Sequence, residues 1–283
     1  MLTSIRGITA ATFVGAFALS TSPALANEAE TTSEEAVNVL SGTVTQVDYD
    51  RAMAKVEEQA VSYQDEDSDF EFSGNVALVS EYRFRGVDLS GGDIAVQGGV
   101  DLAHSSGFYI GTWGSSLDED TVGYGHTELD VYGGFGGSFS DAVSFDLGVI
   151  AYLYPNAGAG DFDYIEFYGS LGFNLGPAEA TVGVAYAPDQ DSLGSTDNLY
   201  LYTDLGVGID GTPLTVTGHL GYTDGFLTFT NNGKAFDWSI GVEAAIAGPV
   251  SVGVAYVGAE GDIPVGFYDY TDDAVVFTVS ASL

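Results

Sequence analysis

Apolar and polar residues alternate along most of this chain, in runs of about ten residues separated by clusters of turn-forming residues. In a β-strand, successive side chains point to opposite faces, so a two-residue period gives one apolar face and one polar face. In the run 142–154, Val143 and Leu147 share one face, while Asp146 lies on the other. A face of glycine, serine, tyrosine and carboxylate residues cannot be a dry core, because an unpaired buried charge is too costly. We therefore expect the polar faces to line water and the apolar faces to meet lipid.

Twelve such runs follow one another, and the links between them are alternately short and long. The runs cover residues 75–88, 94–104, 107–117, 125–139, 142–154, 162–175, 178–187, 198–210, 213–224, 235–247, 249–259 and 273–283. Alternating short turns and longer loops are typical of outer-membrane barrels. No apolar run after the N-terminal one has the length of a spanning helix, which needs about 20 residues. The sequence thus predicts an all-β fold, a transmembrane antiparallel up-and-down β-barrel with an even number of strands, about twelve.

The residues before this pattern divide into two segments. Residues 1–26 combine a basic start at Arg6, an apolar centre and an Ala-Leu-Ala cleavage motif, which is the layout of a secretory signal peptide. Residues 27–73 are acidic, and we expect a periplasmic arm that is flexible or partly helical, with insertion into the lumen as a plug as the alternative. The predicted domains are therefore a cleaved signal peptide (1–26), the arm (27–73) and an outer-membrane β-barrel (74–283).

The charge balance is strongly acidic, because 41 Asp and Glu residues face 6 Lys and Arg, for a formal net charge of −35. Cleavage of the signal peptide removes Arg6 and leaves 5 − 41 = −36. Such a charge argues against nucleic acid or anionic membrane surfaces as partners and favours cations. The chain has no cysteine, which excludes disulfides and thiolate chemistry.

Two of the six basic residues, Arg83 and Arg85, stand two apart beside Glu81 in the first run. On a single strand these three residues share a face, which we expect to be the lumen face. Glu81 itself, Asp101 on the second strand and Asp273 at the closing edge are the expected carboxylate partners. The arginines then belong either to a constriction that discriminates solutes by charge or to a structural salt-bridge ladder, and the pattern leaves both open.

Further carboxylates fall on the polar faces of later runs. The complete set of lumen-facing candidates is Glu81, Arg83, Arg85, Asp101, Glu128, Asp130, Asp146, Glu166, Asp204, Asp237 and Glu243. Rings of carboxylates attract cations and repel anions, so this acidic lumen predicts a preference for cations. Salt screens such charges over about 8 Å, so strong selectivity is not expected.

No catalytic residue, cofactor or metal site is predicted. The three histidines, His104, His126 and His219, have neither H-x-x-H nor HExxH spacing, which disfavours a metal site. His219 lies on a polar face without a G-x-S-x-G motif elsewhere in the chain, so we expect no enzyme activity. Acidic clusters such as 118–120 lack the spacing of a calcium loop and are expected to be solvated.

Aromatic residues gather near the ends of the runs, where they suit the two interfacial girdles of a membrane barrel. They are Tyr82, Phe84, Phe108, Phe135, Phe139, Phe173, Tyr186, Tyr222, Phe236, Trp238 and Tyr256. Their collective placement, rather than any single residue, supports an exterior that faces lipid.

The segment 75–118, NVALVSEYRFRGVDLSGGDIAVQGGVDLAHSSGFYIGTWGSSLD, resembles the opening of the proteobacterial TorF-like porin family. Further matches are ELDVYGGF at 128–135, AYLYP at 151–155, YIEFYGSL at 164–171, VGVAYAPD at 182–189 and GHLGY at 218–222. The resemblance spans nearly all of 74–283 and implies an outer-membrane barrel that passes small solutes. The chain departs from the family in its long acidic arm and in its final Leu283, where such barrels usually end in Phe.

We therefore expect an outer-membrane porin-like channel for passive diffusion of small hydrophilic solutes, neutral or cationic. One alternative is a non-conducting barrel with a structural or surface-adhesion role, whose lumen would be plugged. A soluble periplasmic β-protein is a third interpretation, although the runs exceed the usual soluble strand of about 5–6 residues. The expected partners are outer-membrane lipid, lipopolysaccharide and small solutes or cations, and the sequence is compatible with a homo-oligomer.

Overall fold

The computed structural model describes residues 68–158, 160 and 162–283. The expected signal peptide and residues 27–67 of the expected arm lie outside this part of the chain. Within it, twelve strands close into one antiparallel barrel. The barrel strands are β1 (Phe70–Val79), β4 (Ala95–His104), β5 (Phe108–Ser116), β6 (Thr127–Ser140), β7 (Val143–Leu153), β8 (Tyr164–Asn174), β9 (Ala178–Gln190), β10 (Thr196–Gly208), β11 (Leu214–Gly225), β12 (Lys234–Ala247), β13 (Val250–Ala259) and β14 (Ala274–Ser282). Two short strands, β2 (Arg83–Phe84) and β3 (Val87–Asp88), pair with each other in a separate hairpin.

The barrel closes between its first and last strands. β1 pairs on one side with β4 and on the other with β14, so that Val76 lies opposite both Gly98 and Ala281. The described barrel therefore has no free sheet edge, and each strand finds hydrogen-bond partners on both sides. This topology confirms the predicted closed β-barrel.

The first predicted run, 75–88, is wrong as a single strand. β1 begins at Phe70, before the expected boundary at residue 74, and it ends at Val79. Residues 80–94 then leave the barrel wall, and β2 and β3 form a hairpin within them. We call residues 80–94 the inner segment. The prediction that Arg83 and Arg85 lie on the first barrel strand is therefore wrong as well.

Short and long connections lie at opposite ends of the barrel. Turns such as 105–107 and 175–177 join strands at the short-turn end, where β1 also starts and β14 ends. The long-loop end carries α1 (Glu119–Val122), a 3₁₀ helix (Asp191–Leu193) and the connection 260–273. Among the described residues, no helix combines the length and apolarity needed to cross a membrane.

The outer surface of the barrel is apolar. Ile240, in the middle of β12, is 62% exposed. Other exposed apolar side chains on the outward face include Val76, Leu78, Val100, Ile110, Val131, Leu147, Phe167, Val184, Leu201, Leu220, Val254 and Phe277. An exposed apolar band that runs around a closed sheet is favourable against lipid and unfavourable against water.

Aromatic side chains flank this band at both ends. Phe108 and Phe135 pack together near the short-turn end, with ring centroids 4.9 Å apart. Tyr222 and Phe236 do the same near the long-loop end, at 5.1 Å. Two of the aromatics expected on the exterior are instead inside the barrel. Tyr82 is 1% exposed, and Phe84 packs edge-on against the ring of Tyr152, because both belong to the inner segment.

Burial of the inward-facing side chains rises toward the long-loop end. On β7, Ser144 near the short-turn end is exposed, Asp146 is partly buried, and Ile150 and Tyr152 are buried. Buried tyrosines fill much of the closed half; on or beside the wall strands they are Tyr132, Tyr152, Tyr154, Tyr164, Tyr200 and Tyr202. The lumen is thus open toward the short turns and closed toward the long loops.

Candidate functional site

The inner segment forms a tight hairpin whose tip is the pair Arg85–Gly86. Arg83 lies opposite Asp88 in its register, and Phe84 lies opposite Val87. Both tip residues have positive φ, 51° at Arg85 and 78° at Gly86, which is the pattern of a type I′ turn. This turn type matches the twist of paired strands, so two residues reverse the chain inside the barrel.

The Arg85 side chain reaches the far wall. Its Nη2 atom lies 2.6 Å from Glu166 Oε2 on β8, and both side chains are almost fully buried. The guanidinium also lies over the ring of Tyr200 on β10, 4.1 Å from the centroid, a cation–π geometry. Burial is the largest single effect and lowers the pKa of Arg85, but the Glu166 charge and the nearby tyrosines Tyr152, Tyr164 and Tyr200 together outweigh it, so the net pKa lies above its usual value. The arginine is therefore a fixed cation that joins the hairpin to two wall strands.

Gly86 lets the hairpin tip press against the wall. A Cβ atom at this position would lie 2.6 Å from both Ala259 Cβ and the Gly258 carbonyl oxygen, and 3.0 Å from Asp237 Cβ. Real Cβ atoms do not approach other atoms so closely, and φ at Gly86 is positive. Only glycine fits here without displacement of the tip or of the wall.

Asp88 organises the return strand of the hairpin. It is fully buried, and its carboxylate accepts hydrogen bonds from the backbone N–H groups of Ser90 and Gly92, both at 2.8 Å. Tyr268 of the long connection 260–273 donates its hydroxyl to the same carboxylate at 2.5 Å. The Asp88 N–H donates to the Tyr270 carbonyl at 2.8 Å. The connection 260–273 thus holds the inner segment in place from the long-loop end of the barrel.

Arg83 fastens the base of the hairpin. It forms an ion pair with Glu81, and its Nη1 atom donates to the carbonyl oxygens of Gly86, Tyr270 and Asp272. Burial raises the pKa of Glu81 against the opposing effect of the Arg83 charge. The expected pair of Arg83 with Glu81 is thus present, whereas the other two expected partners, Asp101 and Asp273, do not pair with an arginine. Asp101 accepts a hydrogen bond from Tyr132 at 2.6 Å, and Asp273 accepts one from Tyr256.

Tyr82 ties the start of the inner segment to β6. Its hydroxyl donates to Glu128 Oε1 at 3.0 Å, and its ring packs against Trp113 with centroids 5.7 Å apart. Burial, followed by the charges of Glu128 and Asp130, raises the pKa of the Tyr82 hydroxyl well above its usual value. Tyr82 therefore stays a neutral donor in front of two buried acids.

A cavity of about 240 Å³ lies beside the hairpin, inside the barrel. Its acidic and basic lining residues are Glu81, Arg83, Arg85, Glu166, Asp204, His219, Asp237 and Glu243. Five carboxylates thus face two arginines and one histidine. Of the remaining candidates, Asp101, Glu128, Asp130 and Asp146 point inward but do not line this cavity.

His219 connects three strands at the cavity wall. Its Nδ1 atom lies 2.6 Å from Asp204 Oδ1 on β10, and its Nε2 atom lies 2.9 Å from Asp237 Oδ1 on β12. The Tyr200 hydroxyl lies 2.8 Å from the same Nε2. An imidazole that donates to a carboxylate from each nitrogen is an imidazolium, so His219 adds a positive charge between Asp204 and Asp237.

A second polar network lies nearer the short-turn end. The Tyr109 hydroxyl donates to Asp146 at 2.7 Å and lies 2.6 Å from the hydroxyl of Tyr168. These groups are partly buried, in line with the lower burial of inward side chains toward the short-turn end. A tyrosine–carboxylate pair thus also lines the lumen outside the hairpin cavity.

Among residues 68–158, 160 and 162–283, no group of three or more His, Cys, Asp or Glu side chains is arranged to hold a metal ion. The inward acids are instead bonded mainly to tyrosines, arginines and one histidine. The sequence pattern did not single out Tyr82, Gly86, Asp88 or Tyr200 as site residues. The Arg-Gly pair at the hairpin tip was the one local signal for a turn there.

Several solved structures resemble this fold. OccK5 (OpdH) of Pseudomonas aeruginosa shares 14% identity, over 77% of this chain and 68% of its own, at a TM-score of 0.44. OccAB3 of Acinetobacter baumannii shares 10% identity, over 77% of this chain and 66% of its own, at a TM-score of 0.42. OpdK of P. aeruginosa, solved with vanillate, shares 14% identity over 68% of this chain at a TM-score of 0.41, and the match spans 57% of OpdK. At these identities and scores the likeness assigns no function to this chain.

No functionally curated protein matches the sequence. A family model described as a bacterial protein of unknown function, Gcw_chp, matches residues 63–283 and so includes every barrel strand given above. This match does not carry the TorF-like name that the sequence resemblance indicated. The chain belongs to the Gcw_chp family of bacterial proteins of unknown function.

Proposed function

We propose that this chain is an outer-membrane, porin-like channel for small hydrophilic solutes, neutral or cationic, and that its inner segment closes the lumen. The observation that carries the proposal is the contrast between an apolar exterior and an interior of carboxylates, arginines and tyrosines. Lipid stabilises such an exterior, and water or a polar solute stabilises such an interior. The resemblance of the sequence to TorF-like porins agrees with this function.

The charges that line the cavity favour cations. Glu81 pairs with Arg83, and Glu166 pairs with Arg85. His219 lies between two carboxylates, and Glu243 forms no ion pair with any described residue. The lining therefore carries excess negative charge, which attracts cations and repels anions.

Passage requires the hairpin to move. The inner segment is not part of the barrel wall, so it can shift without breaking a hydrogen bond between barrel strands. Its anchors include side-chain contacts to Glu128, Glu166 and Tyr200 and backbone contacts to the connection 260–273. Ser80 is also bonded to Phe277 of β14, and Leu89 to Asp118. We infer that conduction follows release of these contacts, as for loops that gate other channels and active sites.

The density of these anchors also favours a second function, a non-conducting barrel with a structural or surface role. A buried hairpin with an ion pair, a cation–π contact and a buried carboxylate at Asp88 is a firm plug. The two functions share one fold and differ in whether the plug ever leaves the lumen.

In either case we propose the same setting. Short turns face the periplasm together with the acidic arm, and the long loops face the lipopolysaccharide leaflet. Outer-membrane lipid surrounds the apolar band, and a homo-oligomer is compatible with it.

Planar-bilayer recordings of the purified full chain test the proposal. Wild type and Arg85→Ala are reconstituted in a KCl gradient, after heat-modifiable gel mobility has shown that both are folded. We expect channel openings, more frequent in Arg85→Ala, with a reversal potential shifted toward that of K⁺. Glu243→Gln is expected to reduce this shift. A reversal potential on the chloride side contradicts the acidic lumen, and folded protein that never conducts in either form supports the non-conducting barrel.

A further inference from the structure

Two buried acids on β6 are left without a counter-charge. Glu128 is 1% exposed and Asp130 is 0% exposed, and they are two residues apart on the inward face of one strand. None of the ion pairs formed by the described residues includes either acid. An isolated buried carboxylate is so costly that it must be neutralised by a proton or by a cation.

Their oxygen atoms also lack hydrogen-bond donors. Both carboxylate oxygens of Asp130 and the Oε2 atom of Glu128 are buried without a hydrogen-bond partner among the described residues. Gln97 is 2% exposed, and its Oε1 atom is also buried without a hydrogen-bond partner among the described residues. Four unpartnered oxygen acceptors in one wall of the barrel are more than a folded interior usually leaves.

The strand register places the three residues that carry these oxygens in one region of the wall. Ser115 of β5 lies opposite both Gln97 of β4 and Glu128 of β6, and Gln97 Nε2 donates to Ser115 Oγ at 3.3 Å. Asp130 lies two residues after Glu128 on β6, toward the short-turn end, and opposite Trp113. Neighbouring strands are about 4.8 Å apart, so side chains from β4 and β6 converge in front of Ser115.

The chemistry of this group points to a hard divalent cation. The four free acceptors are all oxygens, two carboxylates supply a charge of −2, and no thiolate or imidazole takes part. A shared proton neutralises one carboxylate but leaves most of the acceptors unsatisfied. Ca²⁺ accepts six to eight oxygens in flexible geometry, whereas Mg²⁺ gives up its water reluctantly, which is unfavourable in a site closed to solvent.

We propose that Glu128 and Asp130, together with the Gln97 amide oxygen, bind one Ca²⁺ ion inside the barrel wall, behind the hairpin. Tyr82 of the inner segment donates to Glu128 Oε1, which leaves Oε2 for the ion. The Glu128 carboxylate therefore contacts both the ion and the inner segment. The proposal concerns binding alone and does not depend on whether the barrel conducts.

Tryptophan fluorescence gives a local probe, because the chain has only two tryptophans, and Trp238 lies on the outward face. The full chain with Trp238→Phe, folded in detergent and stripped with EDTA, reports from Trp113 alone. Addition of CaCl₂ at neutral pH is expected to give a saturable, one-site change in Trp113 emission. At about 100 times the dissociation constant it is also expected to raise the unfolding temperature by about 5–10 °C.

Asp130→Asn keeps the shape of the side chain and removes its charge, so it is expected to fold and to lose both effects of Ca²⁺. Asp120→Asn is the matched control, because Asp120 is an exposed acid in α1, and both effects should persist in it. Two results overturn the site: wild type that does not respond to Ca²⁺, or a response that survives in Asp130→Asn. If the first result comes with stabilisation of the metal-free wild type by acid, shared protons neutralise the pair. The wild-type titration decides the question even where a variant fails to fold.

Discussion

The guanidinium of Arg85 and the carboxylate of Glu166 meet 2.6 Å apart inside the barrel, although they belong to opposite sides of it. Counted around the closed sheet from β1 through β4, β8 is the sixth strand of twelve, so the hairpin spans the lumen before it reaches Glu166. This ion pair thus joins the inner segment, which starts at the end of β1, to β8 on the other side of the barrel. Its strength decides how firmly the inner segment stays in place.

Arg85→Ala is expected to loosen the inner segment. Removal of one partner from a buried ion pair costs about 3–5 kcal/mol, because the other charge stays buried and unpaired. The backbone N–H groups of Asp88 and Leu89, bonded to Tyr270 and Tyr82, should then exchange with deuterium at least roughly 100-fold faster.

The matched control for that experiment is Lys234→Ala. Lys234 pairs with Asp224 at 2.7 Å, but the two side chains are 50% and 43% exposed, so the pair contributes little. Equal exchange rates in the inner segments of wild type and Arg85→Ala contradict the anchoring role of the Arg85 pair.

Gly86→Ala tests the contact between the hairpin tip and the wall. Alanine at a positive φ costs about 1–2 kcal/mol, and overpacking against Ala259 and Gly258 adds about 1–3 kcal/mol. Gly123→Ala is the matched control, because Gly123 also has φ 78°, but nothing lies within 4 Å of its added Cβ. Urea unfolding of the folded barrel should show the larger loss for Gly86→Ala. Equal losses would mean that the tip does not touch the wall.

His219→Ala is expected to destabilise the barrel by about 3–5 kcal/mol, since it removes the cation between Asp204 and Asp237 and leaves both carboxylates partly buried. His126→Ala, at an exposed histidine in a loop, should change the free energy of unfolding by less than about 0.5 kcal/mol. The free energies come from urea unfolding at neutral pH. Similar values for the two variants would contradict the charge bridge at His219.

Ile240→Arg tests which face of the wall meets lipid. An arginine on the lipid face near the bilayer midplane costs about 2–4 kcal/mol, so folding into phosphatidylcholine vesicles should be impaired. Ser144→Arg places the same side chain on the inward face at the open end of the lumen, where it should be tolerated. The folded fraction is read from heat-modifiable gel mobility. A barrel that folds without detergent or lipid, and that tolerates both changes, contradicts the membrane setting.

The twelve wall strands could be predicted from the sequence because lipid and lumen impose a strict two-residue period. Val143, Phe145 and Leu147 lie outward and Asp146 inward, as that period requires. Once the register between two strands is known, the same period also tells which side chains on neighbouring strands lie next to each other. Asp204 lies directly opposite His219, which the sequence could place on a polar face but not beside a particular acid.

The hairpin could not be predicted because the alternation runs through it without a break. In the stretch after Val79, Tyr82 and Phe84 continue the apolar face and Arg83 and Arg85 the polar one. Arg-Gly lacks the strength of an Asn-Gly turn signal, and the positive φ of Arg85 is unusual for its residue type. Aromatic residues fit a crowded lumen and a lipid interface equally well. The residue types of Tyr82 and Phe84 therefore did not show whether their side chains face the lumen or the lipid.

The most direct test of the closed lumen is the single-channel conductance of a chain without the hairpin. Val79 lies opposite Ala95, so replacement of residues 82–92 by a short Gly-Asn-Gly turn can rejoin β1 and β4 with the barrel register kept. With folding of both proteins shown by gel mobility, the shortened chain is predicted to stay open with a conductance well above that of wild type. A shortened chain that is folded and conducts no better than wild type would contradict closure of the lumen by the inner segment.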